Sequence, residues 1–294
     1  MSDSKEGARG AWAWWPLRLV VFFVALIAID IGCQFGRAML LKHAPQIPRD
    51  TVLMGENLAI AVTMIIGYRL LVRWTERRNA TELGFAQLIP GTLGGALLGF
   101  MMFCAVYAVL WSVGVASIGG FAGTSGLVAA IAMPIGAAVG EEILFRGAVY
   151  RLIEEGFGTV IALLFSAALF GLIHLGNPGA TPESSIAIAI EAGLMLAAAY
   201  ALTRSLWLPI GLHFGWNFTE GGVFGAAVSG GTEKGLIHAP LSGPSYLTGG
   251  QFGPEASIAA VGIGFVVTAV MLVLAAQRGQ WKPMRVRLRS PGEA

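Results

Sequence analysis

The sequence predicts an all-α, polytopic transmembrane helical bundle of about eight spans. Three observations carry that prediction. Only 12% of the 294 residues are charged, against about 25% in ordinary soluble domains. The chain is 55% hydrophobic with a mean hydropathy of +0.71. The apolar residues come in runs of about 20, the length a helix needs to cross a bilayer. Net charge is +2, too small to suggest a nucleic-acid partner. Cys33 and Cys104 both fall inside apolar runs, so they are expected as small buried hydrophobes rather than as a disulfide or zinc knuckle.

Residues 1–16 form a polar N-terminal segment whose Trp12, Trp14 and Trp15 suit a membrane interface. The first apolar run, about residues 17–37, is too long for a signal-peptide core and has no clear small-residue cleavage site, so it is expected as a retained helix. Further spans are expected at about 52–72, 90–113, 126–149, 157–175, 184–203, 206–226 and 256–276. Gly91, Gly95 and Gly99 are spaced by four, as are Gly136 and Gly140. Small residues so spaced let helices approach closely in lipid, although glycine is also simply common in membrane helices. The chain divides into the segment 1–16, N-terminal helices 17–124, a core 125–226, a Gly/Ser/Pro-rich loop 227–255, and a last helix with a basic tail 256–294. The loop reads as flexible, with or without a role as a lid.

An even number of spans puts both termini on one side, and the basic residues choose which. Lys5, Arg9, Arg18, Arg69, Arg73, Arg77, Arg78, Arg146, Arg151, Arg204, Arg278, Lys282, Arg285, Arg287 and Arg289 gather on one side. Arg37, Lys42, Arg49 and Lys234 fall on the other. The positive-inside bias places both termini in the cytoplasm and loop 227–255 outside. An integral protein of a bacterial cell membrane is the expected setting, and the lipid bilayer the expected environment.

Against this background a few polar residues need explaining. Met133–Arg151 carries adjacent carboxylates, Glu141 and Glu142, and a guanidinium, Arg146, in an apolar segment. Ionisable groups inside a membrane are expensive and mark function by default. On a helix Glu142 and Arg146 are one turn apart on one face, while Glu141 points about 100° away. Arg146 can hold one carboxylate while the other stays free to react. His174 lies near the end of the fifth span, and His213 and Asn217 share a face of the seventh. A carboxylate backed by a histidine can take a proton from water. A second histidine and an amide can donate to an oxyanion, a donor being worth about 2.7–4 kcal/mol in the barrier. No Ser or Cys nucleophile has a base beside it, which favours attack by activated water.

Glu-Glu-x-x-x-Arg (Glu141, Glu142, Arg146), Phe-x-x-x-His (Phe170, His174) and His-x-x-x-Asn (His213, Asn217) occur in that order on hydrophobic segments. The set, with the run Ser205–Ile210, resembles the CAAX prenyl protease and bacteriocin-processing (CPBP, or ABI) family of intramembrane proteases over about residues 125–220. The resemblance implies a membrane endopeptidase with its catalytic cavity inside the bundle. Glu141 would be the general base assisted by His174, Glu142 and Arg146 a supporting pair, and His213 with Asn217 the oxyanion donors. Eukaryotic members trim three residues from prenylated C-termini, while bacterial members also process secreted peptides or confer immunity to them. A peptide or protein substrate, lipidated or not, is the implied partner, with no nucleic acid.

The family is often called a metalloprotease and has also been described as glutamate-dependent. A His-Glu-x-x-His zinc motif is absent from the sequence. Glu141, His174 and His213 would be the ligands if a catalytic Zn2+ were held, although Asn217 beside His213 fits oxyanion donation better. Two readings from other classes stay open: a non-proteolytic scaffold or bacteriocin-immunity protein, and a proton-coupled transporter relaying through Glu141, His174, Glu191 and His213. Glu191 has no place in the family pattern and reads as either a cavity-lining or a protonated bundle residue. Asp30 and Glu56 are expected as interfacial or helix-pairing groups, Glu220 as structural, and His43 and His238 as solvated loop residues.

Overall fold

The computed structural model describes the backbone of residues 3–231 and 234–284, with side chains from Trp15 onward. Trp12 and Trp14, the basic side chains of Lys5 and Arg9, and the tail residues Arg285, Arg287 and Arg289 lie outside the described side chains. Among the described residues the chain is helical without a β-strand, and two isolated bridges are its only extended pairing. Eight long helices follow one another: α1 (Asp3–His43), α2 (Arg49–Glu76), α3 (Leu88–Ser112), α4 (Leu127–Phe157), α5 (Thr159–Ile173), α6 (Pro182–Thr203), α7 (residues 207–223) and α8 (Ile258–Gln277).

Local signals set several boundaries. Pro16 lies inside α1, which runs unbroken through the polar segment into the first apolar run. Gly158, at φ 82°, separates α4 from α5 in a backbone conformation that a Cβ disfavours. Thr181 opens α6 with a capping box closed by Ser184, and Pro182 occupies the first turn. Ser257 caps α8 by accepting from the Ala260 amide at 3.2 Å.

Among the described residues seven helices are long and apolar enough to cross a membrane, and the protein is an integral membrane protein of the polytopic helical class. The expected eighth span, at about 206–226, is at the short end of what crosses a bilayer. It is an 11-residue α-helix, Trp207–Asn217, continued by a 6-residue π-helical segment, Phe218–Val223. It can be short because neighbouring helices enclose it: Trp207, Ile210, Leu212, His213 and Trp216 are all buried. The closest packing in the molecule is here. Gly91, Gly95 and Gly99 of α3 face the α7 backbone, and Gly211 and Gly215 of α7 face Thr92 and Ala96 in return. Gly136 and Gly140 do the same for α4 against Asn57, Ile60 and Met64 of α2.

The two ends of the bundle differ. At one end buried ion pairs tie helix ends together. Arg151 reaches Glu76 at 2.6 Å and Glu155 at 3.0 Å, and donates to the Tyr68 hydroxyl, which itself donates to Glu82. Arg78 pairs with Glu76 and Glu82, and Glu154 gathers Arg204, Lys282, Thr159 and Tyr150. Burial pulls the Arg204 guanidinium down, but its bond to Glu154 leaves it above the ordinary arginine range. At the other end, residues 224–231 and 234–257 fold back on the connection after α3. The Gly119 amide donates to His238 O at 2.7 Å and the Ala122 amide to Leu236 O at 2.8 Å. Phe252 and Glu255 are buried, so this loop is a packed cap over the bundle rather than a free flap. His43 and His238 are exposed as expected, and Cys33 and Cys104 are free thiols, half-buried rather than fully enclosed.

The glycine contact gives the first prediction. A Cβ at Gly99 would run into the Leu212 carbonyl and the Trp216 amide. Gly99→Val should destabilise the protein by at least about 1–3 kcal/mol, the usual cost of overpacking. Gly94→Val, a position with open space around it, should not. Unfolding curves of the two variants in detergent compare them directly.

Candidate active site

Three helices leave regular α-geometry close to their polar residues. α4 widens to a π-helix at Ile143–Tyr150, α6 at Ala189–Leu194 and α7 at Phe218–Val223. Such segments are rare and concentrate at functional sites, because the extra residue re-aims the side chains around it. The predicted Glu142–Arg146 pair survives the first of them, with Arg146 Nη1 2.8 Å from Glu142 Oε1 and both residues fully enclosed.

Arg146 joins four helices. From α4 it binds Glu142; its Nη2 donates to Gly193 O of α6 at 3.0 Å and to Ala192 O at 3.3 Å. Its guanidinium lies 4.6 Å from the centre of the Phe170 ring of α5, within cation–π range. The fourth link runs through the same carboxylate: His213 Nδ1 of α7 is 3.2 Å from Glu142 Oε1. That bond is absent from the sequence reading, which gave His213 to an oxyanion, a metal ion or a proton relay. Since an ionised carboxylate only accepts, Nδ1 is the proton-bearing nitrogen, and Nε2 donates as well only in the imidazolium form.

His174 is oriented differently. Its Nδ1 lies 2.7 Å from Phe170 O, which only accepts, so this nitrogen donates and Nε2 carries the lone pair of the neutral ring. The Phe170 ring packs 4.6 Å from the His174 ring, which accounts for the aromatic residue one turn earlier in the motif. The Asn217 amide makes no hydrogen bond within the described residues. Each of the two adjacent carboxylates has a buried Oε2 without a hydrogen-bond partner, but Glu142 is held through Oε1, whereas the Glu141 side chain makes no hydrogen bond among the described residues.

Glu141, His174, His213 and Asn217 line one cavity of about 530 Å³. The sequence placed these residues on three separate spans, and the fold brings them together, with Glu142 and Arg146 directly behind. Asp30 and Glu56 also line the cavity. Glu56 pairs with Arg37 at 3.3 Å and Asp30 accepts from Gln34 at 2.6 Å, so the helix-pairing expectation holds for Glu56.

A second, tight cavity of about 20 Å³, room for about one water, lies on the far side of His174, His213 and Asn217. Glu191 and Glu255 line it. Glu191 is buried with neither carboxylate oxygen partnered. Glu255 accepts from the Ser229 amide at 2.6 Å and hydroxyl at 2.9 Å, and its own amide donates to Glu220 at 3.1 Å. Burial pushes the Glu255 carboxyl up against the lowering effect of the Ser229 bonds. Ser229 and Glu255 were missed because they belong to the loop, where no periodicity or motif marks them.

Among the described residues no group of three or more His, Cys, Asp and Glu side chains is arranged to hold a metal ion. Glu141, His174 and His213 share a cavity without forming such a group; each histidine is oriented through Nδ1 by a protein acceptor, and Nε2 is the nitrogen a metal would take.

Removing one partner of the enclosed pair should be costly. Arg146→Met leaves Glu142 charged and buried, and should destabilise by about 3–5 kcal/mol. Adding Glu142→Gln should recover much of that loss, because no unpaired charge then remains. Denaturation of the single and double variants gives the coupling.

Residues 123–219 match the family model described as type II CAAX prenyl endopeptidase Rce1-like. No curated protein and no solved structure matches the chain. The stretch that holds all six candidate site residues is thus similar to the Rce1-like type II CAAX prenyl endopeptidases, in agreement with the resemblance of its motifs to the CPBP proteases.

Proposed function

We propose that the protein is an intramembrane endopeptidase that cleaves peptide bonds with water activated by Glu141 and His174. The observation that carries this reading is the asymmetry of the two adjacent carboxylates. Glu142 is held through Oε1 by Arg146 and His213 and lies behind the cavity, while Glu141 lines the cavity and its side chain makes no hydrogen bond or ion pair among the described residues. A scaffold has no use for an unpartnered carboxylate in that place, since its burial costs stability and adds no contact.

In the proposed reaction Glu141 removes a proton from water, and the resulting hydroxide adds to the scissile carbonyl carbon. His174, with its Nε2 lone pair free, shares the proton and helps to hold the water. The carbonyl oxygen becomes an oxyanion that accepts from the Asn217 amide and from His213 Nε2 in its imidazolium form, paired with Glu142. The proton taken from water passes to the leaving nitrogen, the C–N bond breaks, and a new carboxyl and a new amine are released. No step is routed through a metal. The substrate is a peptide or protein segment, and a lipid-modified chain is compatible with a cavity whose walls include Ile27, Met64, Leu144 and Phe145.

Glu141→Gln keeps the shape of the side chain and removes the base. It should lower cleavage by about 10²–10⁴-fold, the usual contribution of general-base catalysis, without altering unfolding in detergent. Terminal-peptide mass spectrometry of membranes from cells with the wild type, Glu141→Gln or neither protein reads the cut sites. Cuts that persist in Glu141→Gln would remove Glu141 from the chemistry, and no wild-type cuts would favour the scaffold reading. Cleavage that survives exhaustive chelation, in protein shown metal-free by elemental analysis, is the expected companion result.

A further inference from the structure

The cavity is open toward one end of the bundle and closed toward the other. Its lining reaches Gln34 and Arg37 of α1, Glu56 of α2, Asn177 after α5, and Val228 and Ser229 of the cap. All of these lie toward the end where α1 turns into α2. No residue of the opposite connections, 77–87, 204–206 or 278–284, lines it. On that side the cavity stops at Met64, Leu144 and Phe145. Beyond them lies the layer of Tyr68, Glu76, Glu82 and Arg151, paired with one another at the ends of α2 and α4.

The closed end is also the basic end. Arg18, Arg73, Arg77, Arg78, Arg204 and Lys282 cluster there, whereas the open end has Arg37, Lys42, Arg49 and Lys234. Basic connections are retained on the cytoplasmic side. The ion-pair layer also makes a poor route for substrate, since opening it would unpair several buried charges at once, each such break being costly.

We infer that the cavity receives its substrate from the extracytoplasmic side, so that its substrates are membrane-tethered peptide segments exposed on that side rather than tails presented from the cytoplasm. Apolar Met133 of α4 and Ile173 of α5, each 45% exposed, form the lip beside α1. A segment anchored in the outer half of the bilayer meets this lip directly, and its polar backbone passes the Arg37–Glu56 pair on the way to Glu141. The substrate part of the inference rests on the endopeptidase reading; the sidedness does not.

The test uses full-length protein with Cys33→Ser and Cys104→Ser, given single cysteines at the mouth by Asn177→Cys or Gln34→Cys, or at the basic end by Asn79→Cys. A membrane-impermeant maleimide is applied to intact cells and to inverted membrane vesicles. The expected result is that both mouth cysteines are labelled in intact cells and lost to labelling in sealed inverted vesicles, with Asn79→Cys showing the reverse. Labelling of the mouth from the Asn79 side, or from both sides, overturns the inference. In the cut-site comparison the wild-type cuts should fall on extracytoplasmic segments, and cytoplasmic cuts overturn the assignment of substrate class. If no cuts occur, the endopeptidase reading fails by itself, while the labelling still decides which way the cavity faces.

Discussion

The enclosed pair of Glu142 and Arg146 is the constraint on which the rest of the site depends. A guanidinium and a carboxylate stay charged in an apolar interior only with polar partners close around them, and supplying those partners recruits the surrounding helices. α6 supplies two carbonyl oxygens, α5 an aromatic face and α7 the His213 ring. Each contact is directional, so together they fix the rotation of four helices about one point. This also explains the carbonyls of Ala192 and Gly193 as acceptors. They lie in a π-helical segment, where the regular backbone ladder is interrupted and carbonyls are free to bond elsewhere.

Once that point is fixed, the neighbouring residue inherits its position. Glu141 is attached to a backbone that Arg146 and Glu142 hold in place, yet it shares none of their bonds. The site therefore separates rigidity from reactivity by one residue of sequence. The histidines show the same division: each spends Nδ1 on a protein acceptor and presents its other nitrogen. Because one acceptor is a carbonyl and the other a carboxylate, two chemically identical rings are set for different tasks, one as a neutral acceptor and one as a potential double donor.

Much of this was legible in the sequence because it is carried by local spacing. The four-residue interval between Glu142 and Arg146, the interval between Phe170 and His174, and the glycine series on α3 each encode a contact that a helix makes with itself or with a close neighbour. The spans were legible because lipid demands long apolar runs. What the sequence hid depends on contacts between distant segments. The shortness of α7 follows from its enclosure by other helices, which hydropathy does not register. The His213–Glu142 bond joins positions 71 residues apart. The cap formed by residues 224–231 and 234–257 is rich in glycine and polar residues and looks flexible in isolation, and it is ordered by backbone bonds to the connection after α3. Ser229 and Glu255 reach the back of the site only because that cap is folded.

The enclosure of α7 bears on how the protein tolerates different membranes. Helices that touch lipid tilt or bend when bilayer thickness departs from their apolar length, each adjustment costing a fraction of a kcal/mol per ångström. α1 is the most lipid-exposed of the spans, and with α8 it would absorb most of that adjustment. α7 is clasped by glycine faces on α3 and screened by its neighbours, so His213 and Asn217 sit on an internal strut that the bilayer does not grip. The outer helices can thus follow the membrane while His213 and Asn217 keep their registration with α4.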